Sequence, residues 1–274
     1  MRRKNLICMV IALVAVLVPA MCLNGGTAAR ADSLSARDIV SRTFEMRKLD
    51  GSEGVSTLTI YNEKDQKRQR QMAMVSKLYD GGKTEKKLSR FLSPADVKGT
   101  AILTYDYEAK DDDMWMFLPS MHKTRRLVAS EKSKSFMGSE FTYNDMNIPN
   151  LDDFSYRLLP EEKVDGVDCY QVEWTPRTED IAQDQGYAKR LAWIGKTDFV
   201  VRRGVIFDLD GEKWKEMTVR DVRLVDKEHG KYRAFYMEMR NVKNRRWSTL
   251  AVDQLVYSPA VKDEYFTTRY LERQ

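Results

Sequence analysis

The side chains able to do chemistry are few and scattered. His122 and His229 stand far apart, outside any paired spacing that would hold a metal between them. Ser139, in Met-Gly-Ser-Glu-Phe, lacks the second flanking Gly of a nucleophile elbow. Cys169, in Val-Asp-Cys-Tyr-Gln-Val-Glu-Trp, reads as an inward strand thiol. Asp111, Asp112 and Asp113 are adjacent and lack the alternating spacing and Gly of a calcium loop, and Asp208 to Gly211 fits a hairpin turn. Nothing in the chain pairs an acid with a base. The expectation is no catalytic residue, no metal, no cofactor, and hence no enzyme.

The distinctive side chains are apolar. Met72/Met74, Met114/Met116 and Met237/Met239 occur at alternate positions of strand-like segments, so each pair makes a thioether patch on one face. Two readings fit: gap filling in an ordinary core, or a lining that accepts variable apolar shapes. In Asp-Asp-Asp-Met-Trp-Met-Phe-Leu, Trp115 and Phe117 point one way and Met114, Met116 and Leu118 the other. Such a strand is covered on both faces, by a helix, a loop or a ligand. Lys123, Arg125, Arg126, Lys132 and Lys134 follow, either a solvated face or a rim for headgroup phosphates or an acidic partner surface.

These residues need elements to position them. Ser35 and Asp38 form a capping box ahead of Ile39, Val40 and Phe44, which predicts one helix ending before Asp50-Gly51. From Val55 onward, alternation and β-branched or aromatic enrichment dominate. Turn chemistry at Asp80-Gly81-Gly82, Asp165-Gly166, Asp210-Gly211 and His229-Gly230 breaks the pattern. The segments predict thirteen strands, at 55–61, 70–79, 86–92, 100–107, 113–118, 124–128, 154–159, 168–175, 187–194, 200–208, 213–225, 232–242 and 247–257. A short helix or strand closes the tail at Asp-Glu-Tyr-Phe-Thr-Thr-Arg-Tyr-Leu. The fold class is mainly β, one antiparallel sheet built from hairpins.

The first 31 residues have a basic start, an apolar run from Leu6 to Val18 too short to span a bilayer, and small residues up to Ala31. The expectation is a cleaved secretory signal over 1–31 and one domain over 32–274. Cys22 follows Met21 rather than the small residues an acylation signal needs. Four basic residues and no acid leave with the leader, so the formal charge falls from +5 to about +1 and nucleic-acid binding loses its support. Cys169 alone remains, so no internal disulfide can form.

One segment, Ser133 to Met146, carries loop punctuation yet holds Phe136, Met137, Phe141, Tyr143 and Met146. In order along the chain, Phe91 to Leu103, Asp111 to Leu127 and Ser135 to Met146 resemble the outer-membrane lipoprotein-sorting family, its larger LolA-like relatives. The resemblance covers almost the whole expected mature chain. It implies an unclosed half-barrel, a curved antiparallel sheet of LolA/LolB type whose concave face is covered by helices and a loop and holds acyl chains. It also implies a periplasmic carrier of a lipid or lipoprotein bound for the outer membrane, monomeric, meeting a membrane receptor or a transporter of the resistance-nodulation-division (RND) type. The alternative is an accessory module that docks on such a transporter and carries nothing.

On this reading Leu58, Ile60, Met72, Met74, Leu103, Tyr105, Trp115, Phe117, Met237 and Met239 line the lipid site. Phe136, Gly138, Phe141, Tyr143 and Met146 form a lid, in which Gly138 permits the turn and Asn144 or Asp145 satisfies backbone N–H groups. Arg125 and Arg126 form a headgroup or partner rim. The smaller carrier closes its lid with an Arg that matches no position here residue by residue.

Overall fold

Ser35 and Asp38 cap each other across the first helical turn. The Ser35 hydroxyl accepts from the Asp38 backbone N–H at 3.1 Å, and the Asp38 carboxylate accepts from the Ser35 N–H at 3.1 Å. Helix α1 (Ala36–Arg47) follows, and its Ile39, Val40 and Phe44 are buried along one side. The computed structural model describes residues 34–273, so the expected leader, with Cys8 and Cys22, lies outside the described residues.

The thirteen predicted strands are present: β1 (Gly51–Tyr61), β2 (Lys67–Tyr79), β3 (Thr84–Ser93), β4 (Ala101–Tyr107), β5 (Asp113–Leu118), β6 (Lys123–Arg126), β7 (Phe154–Val164), β8 (Val167–Pro176), β9 (Lys189–Gly195), β10 (Val201–Phe207), β11 (Lys213–Asp226), β12 (Lys231–Asn241) and β13 (Trp247–Tyr257). Short helices α2 (Ala129–Lys132), α3 (Glu179–Gln185) and α4 (Thr268–Leu271) complete the described regular structure with several 3-10 turns. Helix α3 was not predicted, although Thr178 caps its start and Gly186, at φ 76°, ends it. At seven residues it carries too little periodic signal to stand out from the loop around it.

All thirteen strands form one antiparallel sheet in the order β6-β5-β4-β3-β2-β1-β13-β12-β11-β10-β9-β8-β7. Each strand pairs with its chain neighbour, and β1 pairs with β13. Strands β6 and β7 are consecutive in the chain yet lie at the two ends of this order. The sheet is therefore an unclosed half-barrel, and residues 127–153 run from one open edge to the other.

The two faces have different covers. On one, Leu58, Met72, Ile102, Met114, Met239 and Leu250 pack with α1 and with Phe136, Phe141 and Tyr143. On the other, Leu88, Ala101, Leu103 and Phe117 lie beneath Val261, Phe266 and Leu271 of the C-terminal segment. Polar contacts pin that segment: the Tyr105 hydroxyl donates to the Phe266 carbonyl at 2.6 Å, and Arg90 donates to the Tyr270 carbonyl at 2.9 Å. This accounts for the doubly apolar β5: Met114 and Met116 face the main core, while Trp115 and Phe117 face the tail.

Candidate functional site

The main core is not solid. A cavity of about 340 Å³ lies inside the curve of the sheet, bordered by α1, residues 136–149 and every strand except β6 and β7. A sheet contributes eleven of its strands to one cavity only by curling around it, which makes this the concave face. The volume is within the roughly 300–1,000 Å³ of small-molecule sites. Met74, Met114, Met217 and Met237 supply thioether surface to its wall.

Residues 136–148 form a strap over this face, fastened by side chains from both halves of the sheet. From the β2–β4 half, Arg70 donates to the Met137 carbonyl, Lys87 donates to the Met146 carbonyl at 3.0 Å, and Asp106 accepts from the Ile148 N–H at 2.9 Å. From the β9–β13 half, Arg190 donates to Asp145 at 2.9 Å, Lys215 to the Glu140 carbonyl at 2.6 Å, and Asn241 to the Glu140 carboxylate at 3.0 Å. Ser248 accepts from the Glu140 N–H at 3.0 Å. The backbone bends where Met137 and Gly138 take φ of 52° and 78°, a region Gly enters freely and Met does not.

Burial and charge work against each other at these fastenings. Burial alone would push the Asp145 carboxyl up, but Arg190 and the Thr142 N–H hold it below the ordinary carboxylate range. Burial lowers Lys215 against the pull of Asp145 and Glu140. Asp112 accepts from the Asn147 side chain at 2.7 Å, and burial, with Asp106 nearby, pushes its carboxyl up to about 7.

The expected lining residues fall on two faces. Met72, Met74 and Met237 border the cavity, while Leu58, Ile60 and Met239 pack in the same core. Leu103, Tyr105, Trp115 and Phe117 are a correction: they pack on the opposite, convex face under the C-terminal segment and cannot share the cavity. Alternation separates two faces without saying which one is concave, and the tail that covers the second face is distant in sequence. In the strap, Phe136, Phe141 and Tyr143 are buried and border the cavity with Met146, while Gly138 provides the turn. Asp145 accepts from the Thr142 N–H at 2.8 Å, whereas Asn144 donates to the Asp184 carbonyl. Arg125 and Arg126 lie on edge strand β6, exposed, paired with Glu131 and Asp113 and away from the cavity.

The possible chemical groups stay apart. Cys169 packs with Trp193 and Val205 on the convex side, the Ser139 hydroxyl donates to the Phe136 carbonyl at 2.7 Å within the strap, and His122 is exposed after β5. Among the described residues no group of three His, Cys, Asp or Glu side chains is placed to hold a metal, and no helix is long and apolar enough to cross a membrane.

Sequence reasoning missed the charged residues inside the barrel: Arg47, Arg70, Lys87, Arg190, Lys215 and Arg233. A signal existed for two of them. Arg70 precedes Met72 by two residues and Arg233 precedes Met237 by four, so each extends an apolar stripe on the same face.

Solved structures share this architecture. An outer membrane lipoprotein-sorting protein domain from Vibrio parahaemolyticus matches at 25% identity and TM-score 0.78, over 87% of this chain and 98% of that one. A DUF1329 family protein from Desulfovibrio piger matches at 28% identity and TM-score 0.79, over 86% and 97%. A LolA superfamily protein from Nitrosomonas europaea, at 21% identity and TM-score 0.64 over 87% and 100%, shares the fold. A search of curated proteins gave no match. A family model described as "uncharacterized protein" matches residues 83–273, more than half of the chain. The chain belongs to that family, and its half-barrel resembles those of the outer-membrane lipoprotein-sorting and LolA superfamily structures.

Proposed function

We propose that this protein is a periplasmic carrier that buries the acyl chains of a lipid or lipoprotein beneath the 136–148 strap and shuttles them toward the outer membrane. The observation that carries this reading is the cavity itself: an interior walled by Met side chains and closed by a segment fastened to both halves of an open sheet. A protein that only docks on a partner has no need to keep that space. Burial is worth about 0.8 kcal/mol per CH2, so a long chain is strongly held before ordering costs. Tight holding gives no direction, so release requires a membrane receptor or RND-type transporter that loosens the strap or offers a better site.

The expected leader over 1–31 would export the chain, leaving a monomeric half-barrel domain from about residue 32. Native mass spectrometry of the protein purified from the periplasm, followed by organic extraction, tests the reading. A co-purifying acylated molecule at near-stoichiometric level is the expected result. A bare protein mass that persists after incubation with lipid vesicles and a lipoprotein donor would favour the accessory role.

A further inference from the structure

Seven charged residues border the cavity, and five are basic. Three of the five donate to neighbours: Lys87 to Asp106 at 2.6 Å, Arg190 to Asp145 at 2.9 Å, its Nε staying buried and unpartnered, and Lys215 to the Glu140 carbonyl at 2.6 Å. Arg47 and Arg233 differ. Each borders the cavity, and among the described residues neither guanidinium donates a hydrogen bond or forms an ion pair. Glu85 acts on both only through space, and its carboxylate lies 3.8 Å from Lys87.

The fold holds these two side chains near each other. Arg47 ends α1 and Arg233 lies in the first turn-side residues of β12. Lys231 donates to the Glu45 carbonyl at 2.8 Å, and the Tyr232 N–H meets the Met46 sulfur at 3.2 Å, which ties the helix end to the strand. Burial lowers both guanidiniums, Arg233 to about 10, with Arg47 pushing it the same way. The carbonyl end of α1 favours a cation at Arg47. Nothing equivalent serves Arg233; both side chains are half-buried at the cavity, and two neighbouring like charges with no protein acceptor disfavour each other. An anion that accepted from both would relieve that repulsion in a forked, charge-assisted geometry.

Resting on the carrier reading of this same cavity, we propose that Arg47 and Arg233 receive the anionic head of the cargo, which makes the ligand an acidic amphiphile with a carboxylate or phosphate terminus. Arg233 and Met237 share a face of β12, four residues and ~13 Å apart, so a chain leaving the guanidinium pair runs along the thioether wall.

Titration calorimetry at pH 8 with dodecanoate, dodecyl phosphate, dodecanol and inorganic phosphate, on protein expressed from the full chain and delipidated, tests this. The charged amphiphiles should bind roughly tenfold or more tightly than dodecanol. Arg233→Gln should erase that preference while leaving dodecanol binding unchanged, and Arg233→Lys should keep part of it. The wild-type ratio is decisive even if a variant folds poorly. Equal binding of dodecanol and dodecanoate would overturn the anion site while leaving the carrier reading intact. Inorganic phosphate binding as tightly as dodecyl phosphate would replace the amphiphile with a free anion and overturn the proposal. Failure of all three amphiphiles to bind would overturn the carrier reading, and this inference with it.

Discussion

The Asp145 carboxylate in the strap lies 2.9 Å from the Arg190 guanidinium on β9, and both groups are largely buried. The same carboxylate accepts from the Thr142 N–H at 2.8 Å and the Thr142 hydroxyl at 2.9 Å, so one acid shapes the strap and fastens it to the sheet. Asp145→Ala leaves Arg190 buried without its partner, and such losses cost about 3–5 kcal/mol. Denaturant unfolding should show a loss of that order. The double variant Asp145→Leu, Arg190→Met should recover much of it, whereas a double variant as unstable as the single would rule out the unpaired charge as the cause.

Asp112 gives the strap a pH dependence. Folding raises its carboxyl from the ordinary range to about 7, so the folded form holds a proton that the unfolded form has released between those values. The stability it contributes is present at acid pH and is lost as pH rises through about 7. Because Asn147 of the strap donates to Asp112, hydrogen exchange of residues 136–148, corrected for intrinsic rates, should quicken from about pH 4 to about pH 7 and level off above that. Asp112→Asn should flatten that rise. A rise of the same size in the variant would assign it to other groups.

Met237 borders the cavity, and an Asp in its place would put an unpaired carboxylate against the acyl chain. The amount of co-purifying lipid per protein should fall about tenfold, on the cost of burying a polar group without a partner. Circular dichroism should remain that of the parent. Unchanged lipid content would remove Met237 from the ligand wall.

The convex cluster should behave in the opposite way. Phe266 is buried over Leu103 and Phe117, and truncating a buried Phe to Ala costs about 3–5 kcal/mol. Phe266→Ala should lower the melting temperature while the lipid content of the folded fraction stays constant. A selective loss of lipid would return the convex face to the binding site.

Much of this architecture is legible in the sequence because it is local. Ser35 and Asp38 lie three residues apart, and the glycines at 81, 166, 211 and 230 take the positive φ their hairpin turns require. The strap was legible as grease inside loop punctuation at Phe136, Phe141 and Tyr143. What escaped is long-range. Trp115 and Met114 are both apolar, and only the arrival of Phe266 and Leu271 on one side decides which faces the cavity. Arg70 meets the Met137 carbonyl across 67 residues and Arg190 meets Asp145 across 45, contacts that no periodicity encodes. Arg47 and Arg233 read as ordinary charges until the helix end and the strand are brought together.

The position of the acyl chain is the central claim, and tryptophan fluorescence can report it. Trp174 and Trp214 border the cavity, whereas Trp115 and Trp193 pack in the convex clusters. Variants that keep one Trp, with the others replaced by Phe, can be titrated with a fatty acid brominated along its chain, which quenches on contact. The account predicts strong quenching in the Trp174-only and Trp214-only proteins and little in the Trp115-only and Trp193-only proteins. Quenching confined to Trp115 or Trp193, or equal in all four, would contradict a ligand held inside the half-barrel.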